Sequence, residues 1–317
     1  MSLIEKASRR LEELKRAGVE FADGLEEAAT PPAAADATPA RNGELREARH
    51  VVPPAPAAAA RSRAGSRQVA IDLARLAADG YVTPDAPHSP IANEFRVIKR
   101  PVIENARGKA GSRARNANLV MVTSALQGEG KSFTAINIAM SIATELDSTV
   151  LLVDADVANP SLLEALGLPQ STGLLDALRE PELDLADLLL RTNVEKLSIL
   201  PAGPRHPRAT ELLASDAMTR LVEELANRYP DRIVIFDSPP LLLTTESPVL
   251  AAHMGQILVV VEAERTTASV LKHALTTIEK CPIVMTMLNK ARASEIGSYY
   301  GYGYGQRARE GQLKDGE

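Results

Sequence analysis

The densest chemistry in the chain lies in Ser124-Ala125-Leu126-Gln127-Gly128-Glu129-Gly130-Lys131-Ser132. Glycines at 128 and 130 let the backbone curl so that successive N–H groups converge on one point. The lysine and hydroxyl that follow are the pair that meets β- and γ-phosphates and a magnesium ion in a phosphate-binding loop. The usual pattern, Gly-x-x-x-x-Gly-Lys-Ser/Thr, begins with glycine; here Ala125 takes that place, a difference of one methyl group. Ala125, Gln127, Gly128, Glu129, Gly130, Lys131, Ser132 and Phe133 are therefore the candidate nucleotide contacts.

Two other apolar runs end in aspartate. Val150-Leu151-Leu152-Val153 leads into Asp154-Ala155-Asp156, and Ile233-Val234-Ile235-Phe236 into Asp237-Ser238-Pro239-Pro240. A carboxylate at the end of a buried strand is costly unless a cation or donor meets it. Beside a nucleotide-bound Mg²⁺ it has that partner, so Ser132, Asp154, Asp156 and Asp237 form the candidate metal set. With Lys131 the three aspartates are also the candidate catalytic groups, Asp154 being placed to accept a hydroxyl proton. The competing role for each aspartate is a cap on the following turn, most strongly for Asp156 ahead of Asn159-Pro160.

These residues need elements to hold them. Strand-length runs at Leu119–Val122, Val150–Val153, Leu197–Leu200, Ile233–Phe236, Ile257–Val261 and Ile283–Leu288 are interspersed with helical patterns. The helices expected are Ser132–Leu146, Ala217–Arg228 and Ala268–Lys280. Such alternation predicts an α/β fold of the P-loop NTPase type, with a mostly parallel sheet and helices on both faces. Ligands of such sheets sit beyond the carboxyl ends of the strands, where the loop also lies.

Around this region, 116–291, the expected organisation is an amphipathic helix (1–21), an Ala/Pro-rich disordered linker (22–66), a helical lead-in (67–115) and a Tyr/Gly-rich flexible tail (292–317). In the lead-in a helix is expected over Val69–Asp79. The tail carries Tyr299, Tyr300, Tyr302 and Tyr304 among glycines. On its own it reads as a low-complexity linker; beside an ATP site it reads as a mobile phenol substrate.

Composition excludes several classes. The net charge of −5 speaks against nucleic acid as a partner. One cysteine, Cys281, excludes an internal disulfide and a four-thiolate metal site, and fits a reducing cytoplasm. No apolar run approaches the roughly 18 residues of a membrane span, and Met1 to Lys6 has no signal-peptide core.

The loop, the Asp154-x-Asp156 strand with Asn159-Pro160-Ser161-Leu162, and Phe236-Asp237-Ser238-Pro239-Pro240 resemble the bacterial tyrosine autokinases of exopolysaccharide loci. The nearest kind is the stand-alone form encoded with exosortase (PEP-CTERM) sorting systems. The resemblance extends to Asn93-Glu94-Phe95-Arg96-Val97-Ile98-Lys99-Arg100-Pro101, similar to that family's oligomerisation motif, which assigns subunit contacts to Glu94, Arg96, Lys99 and Arg100. It implies a protein-tyrosine kinase using ATP and Mg²⁺, with tail tyrosines phosphorylated between neighbouring subunits. It further implies a membrane chain-length-determinant activator, a cognate tyrosine phosphatase, and a place at the inner face of the membrane through that partner. Asn289-Lys290 resembles an adenine-side element of related ATPases, making Asn289 a candidate base contact. Val157, Ala158 and Asn159 stand where the family often has arginine.

Two other readings stay open. A positioning or partitioning ATPase places a lysine early in the loop, where this chain has Leu126, and lacks a terminal tyrosine cluster. A nucleotide-dependent assembly factor with little turnover is the other.

Overall fold

A computed structural model describes residues 67–108, 114–180, 182–228 and 231–292. The chain divides into two units, Met1–Ala59 and Ala60–Glu317, and every described residue belongs to the second. The N-terminal helix and linker expected from sequence, and Tyr299, Tyr300, Tyr302 and Tyr304, lie outside the described residues.

The described strands are β1 (Arg67–Val69), β2 (Leu119–Ser124), β3 (Thr149–Asp154), β4 (Leu190–Thr192), β5 (Leu197–Leu200), β6 (Arg232–Asp237), β7 (Gln256–Glu262) and β8 (Ile283–Asn289). They form one sheet in the order β1-β4-β5-β3-β6-β2-β7-β8. From β5 to β8 every neighbouring pair is parallel. β4 runs antiparallel to β5, and β1 parallel to β4, so the β1 end of the sheet opposes the rest. All six expected strands are present, each lengthened by two residues at most. β1 and β4 were not anticipated, because three residues are too few to show an alternation.

Described helices are α1 (Leu73–Ala78), α2 (Pro90–Arg107), α3 (Lys131–Ala143), α4 (Leu162–Ala165), α5 (Leu174–Arg179), α6 (Leu185–Leu188), α7 (Ala209–Leu213), α8 (Asp216–Asn227), α9 (Glu246–Ala251) and α10 (Ala268–Thr276). Successive strand residues point to opposite faces. Val120, Val122, Val150, Leu152, Ile233, Ile235, Leu258 and Val260 pack with α3 on one face. Met121, Leu151, Val153, Val234, Phe236, Ile257 and Val259 pack on the other, with α5, α8, α9 and α10. Every residue of α3 from Thr134 to Ala143 is buried, because the sheet covers one side and α2 the other.

The lead-in differs from expectation in two places. Instead of one helix over Val69–Asp79, β1 pairs with β4 and α1 begins only at Leu73. Asp72 caps it by accepting from Arg75 N at 3.0 Å, and Asn193 holds Ile71 N and O at 2.8 and 3.0 Å. In α2, Glu94 and Arg100 are exposed and Arg96 is partly so. Lys99 does not share their face. It is 3% exposed, and its Nζ donates to Ser141 O at 2.6 Å and pairs with Glu145 at 2.8 Å. The lysine spends its charge on the carboxyl end of α3, and the Glu145 carboxyl is lowered first by that hydrogen bond.

Candidate active site

β2 delivers the loop. Gly128 and Gly130 adopt φ of 87° and 98°, a region that side chains avoid. At Gly130 a Cβ would also stand 2.1 Å from Asn289 Nδ2, so only glycine fits. α3 then starts at Lys131, and Thr134 N already donates to Gly130 O. The loop's root is fastened by the segment after β6: Leu241 N donates to Ser124 O at 2.8 Å, and Ser238 Oγ to Val122 O at 2.9 Å.

Its far side is held by Glu129 and Asn289, here in bracing contacts, together with Thr266 and Glu262, which the sequence did not single out. Glu129 is 1% exposed and turned inward rather than toward a ligand. Its carboxylate accepts from Leu126 N at 2.5 Å and, closely, from Thr266 Oγ1. Asn289 Nδ2 donates to Glu129 O at 2.9 Å, which makes Asn289 a brace for the loop. Lys290 Nζ donates to Gly128 O at 2.7 Å and pairs with Glu262, which also meets Arg265. Phe133 is likewise redirected: its ring packs on Tyr81 and Phe95, centroids 4.9 and 6.3 Å away, leaving its backbone at the loop. No local signal announces Thr266 or Glu262, which lie more than 130 residues from Glu129.

The aspartates converge. Asp154 and Asp237 are opposite one another in the β3–β6 register, and Asp237 also pairs with Val122 of β2. Both are buried, at 1% and 0% exposure. Burial and the neighbouring Asp237 push the Asp154 carboxyl up to about 8. Asp237 is pushed up to about 6 by burial, with Lys131 and the Ser132 hydroxyl pulling the other way. Burial lowers the Lys131 ammonium, but Asp237 and Asp156 outweigh it, and its pKa is raised overall. Asp156 is already committed: Oδ2 meets Lys131 Nζ at 2.7 Å, and Oδ1 accepts from Asn159 N, the cap that the sequence also allowed.

A divalent cation needs oxygens that no protein donor already occupies. Asp154 Oδ1 and both Asp237 oxygens are buried with no hydrogen-bond partner, while Asp154 Oδ2 accepts from Leu162 N at 3.2 Å. Ser132 Oγ lies 3.3 Å from Ser161 Oγ. Among the described residues no three His, Cys, Asp or Glu side chains form a metal cage on their own. That suits Mg²⁺, which takes one or two carboxylates and fills the rest of its octahedron with phosphate and water. Ser132, Asp154 and Asp237 fit the ion, while each Asp156 oxygen already has a partner in Lys131 or Asn159 N.

Known proteins are similar to this chain in sequence and in fold. A family described as an AAA domain matches residues 118–290. The tyrosine-protein kinase YwqD of Bacillus subtilis (strain 168) is 32% identical over 220 residues, covering 68% of this chain and 88% of YwqD. The chain belongs to the bacterial tyrosine-protein kinases. The kinase domain of Escherichia coli tyrosine kinase ETK superposes with a TM-score of 0.54 at 25% identity, over 69% of this chain and 83% of that domain. The succinoglycan biosynthesis transport protein ExoP of Rhizobium meliloti (strain 1021) is 33% identical over 224 residues, which are 69% of this chain and 27% of ExoP. This tyrosine kinase thus has a P-loop fold, and its Asp154–Asp237 pair stands where the loop, α3 and two central strands meet.

Proposed function

We propose that this kinase transfers phosphate from ATP to Tyr299, Tyr300, Tyr302 and Tyr304 of a neighbouring copy. The observation that carries the reading is the pair of adjacent buried carboxyls, with three partnerless oxygens, beside Lys131 and Ser132. Bound Mg²⁺ supplies charge neutralisation at the phosphates. The chain's own groups do the rest. Backbone N–H groups from Gly128 to Ser132 cradle the phosphates, and Lys131 balances charge at the β–γ bridge. Asp156 aims the lysine through their 2.7 Å contact. Asp237 and Ser132 hold the cation side. Asp154 accepts or orients the tyrosine hydroxyl proton. A free phenol has a pKa near 10, so alignment contributes more than prior deprotonation.

Glu94, Arg96 and Arg100 on α2 are the surface through which copies assemble, with Lys99 as the internal anchor of that helix. The succinoglycan name of a relative supports a role in exopolysaccharide synthesis or export. In that setting a membrane chain-length-determinant protein activates the kinase, a tyrosine phosphatase reverses it, and the kinase works at the inner membrane face through its activator. No described helix is long and apolar enough to cross a membrane.

The test is incubation of the purified full chain with Mg-ATP, read by anti-phosphotyrosine blot. Lys131→Met and a variant with the four tail tyrosines changed to Phe each lose the signal. Mixing those two restores it, because one supplies the tail and the other the site. Steady ATP hydrolysis without phosphotyrosine refutes the reading.

A further inference from the structure

β5 ends at Leu200, which pairs with Val153 of β3, so Asp154 and Pro201 leave the sheet side by side. The segment that follows reads Pro201-Ala202-Gly203-Pro204-Arg205-His206-Pro207-Arg208. Its base is fixed. The Pro201 and Ala202 carbonyls accept from Leu174 N and Leu175 N at 2.7 and 3.0 Å, and residues 201–203 are buried. At Gly203, φ is +86° and a Cβ would stand 2.7 Å from Asp176 Oδ2, which itself accepts from Gly173 N at 2.9 Å.

Beyond this base Arg205 and Arg208 are exposed, and Arg208 N donates to His206 Nδ1 at 3.1 Å. Among the described residues neither guanidinium has an ion-pair partner. Glu246, close in the fold, is occupied by Thr210 Oγ1 at 2.6 Å. Exposed arginines are ordinarily a solvated surface. These two are set apart by a rigid base, flanking prolines and a position one strand from Asp154. A guanidinium fork matches phosphate oxygens bidentately.

We propose that Arg205 and Arg208, with His206 beside them, bind the phosphoryl group of an already modified tyrosine in the tail of a second copy. This rests on the autokinase reading, and makes modification of the cluster run from one tyrosine to the next. Charge supports it. Residues 297–305 contain no Asp, Glu, Lys or Arg, so the unmodified tyrosine segment itself offers the arginines no charge. Each transfer adds about −1.5 to −2 charges. Reach supports it as well. Arg205 lies four residues past Pro201, at most about 14 Å, and Tyr299 and Tyr304 are five residues apart, at most about 18 Å.

The experiment uses two synthetic peptides of residues 295–306, one unmodified and one with phosphotyrosine at 304. Their binding to the full chain, with Mg²⁺ and a non-hydrolysable ATP analogue, is followed by fluorescence anisotropy. Wild-type protein binds the phosphopeptide about tenfold more tightly. An Arg205→Gln/Arg208→Gln variant of unchanged Tm binds both alike, and the corresponding Lys variant falls between. Equal binding by the wild type, or a preference that survives in the Gln variant, overturns the proposal. So does a Gln variant whose main loss is affinity for the nucleotide analogue. Radiolabel transfer from ATP to the unmodified peptide is scored separately. Its absence, with the phosphopeptide preference intact, overturns the autokinase reading and leaves the anion site standing.

Discussion

Asp154 and Asp237 sit side by side at the ends of parallel strands with water excluded, and that adjacency sets how stability responds to pH. Asp154 takes up a proton below about 8 in the folded state and only below its ordinary 3.8 when unfolded. Folding therefore binds a proton, so this group's contribution is fully present below 3.8 and is lost as pH rises toward 8. The displacement from 3.8 to about 8 corresponds to about 6 kcal/mol as an upper bound. Asp154→Asn, which stays neutral, should raise Tm at pH 8 by several degrees, with the gain shrinking toward pH 4, while abolishing phosphotyrosine formation. Scanning fluorimetry across that range checks it, and an equal Tm gain at both ends contradicts a proton-binding pair. Such a trade of stability for function is common at sites built for a cation. The three strand-end aspartates were legible in sequence from the apolar runs before them. That Asp156 meets Lys131 and Asn159 N was not, because residue type and spacing do not say which oxygen meets which neighbour.

At the level of elements, the loop is as much fastened as it is flexible. Glu129 looks in sequence like one more loop residue facing phosphate, yet it fixes the loop to the β7–α10 connection through Thr266. Glu129→Gln keeps the shape and removes the charge. It should raise KM for ATP about fivefold with kcat within about twofold, since it loosens binding geometry more than the transfer step; Thr266→Val should do the same. A kcat loss at constant KM would instead assign Glu129 to the transfer itself. Lys99 fixes α2 to the end of α3 in a comparable way. Lys99→Met takes the ion-pair partner from Glu145 and leaves the Ser141 carbonyl with Thr144 Oγ1 as its side-chain donor, at a cost of about 2 kcal/mol. Urea unfolding measures this, and a change below about 0.5 kcal/mol would mean the ion pair contributes little. Six strands were readable because four or more apolar residues in a row mark buried parallel strands. β1 was not legible, since it is three residues long and its partner β4 lies more than 120 residues away; of β1 only Val69 fell in the expected helix, and the observed helix begins at Leu73.

For the whole molecule, the exposed face of α2 with Glu94, Val97 and Arg100 is where copies would meet. Arg100→Glu should lower the solution mass seen by light scattering while shifting stability by no more than about 0.5 kcal/mol, as exposed substitutions do. An unchanged mass removes α2 from assembly. The sequence by itself determined the chemistry: a glycine loop before Lys131-Ser132, strands that end in aspartate, and a tyrosine cluster. These are local patterns, imposed by the backbone conformations and the burial that each short segment requires. Only the tertiary structure decided how the roles are shared. It turned Lys99 and Glu129 inward, made Asn289 a brace, gave Asp156 to Lys131 and left Asp154 and Asp237 open for a cation. Those outcomes depend on partners brought together from positions as far as 25 residues apart for Lys131–Asp156 and 160 for Glu129–Asn289, and no short window of sequence contains both members of such a pair.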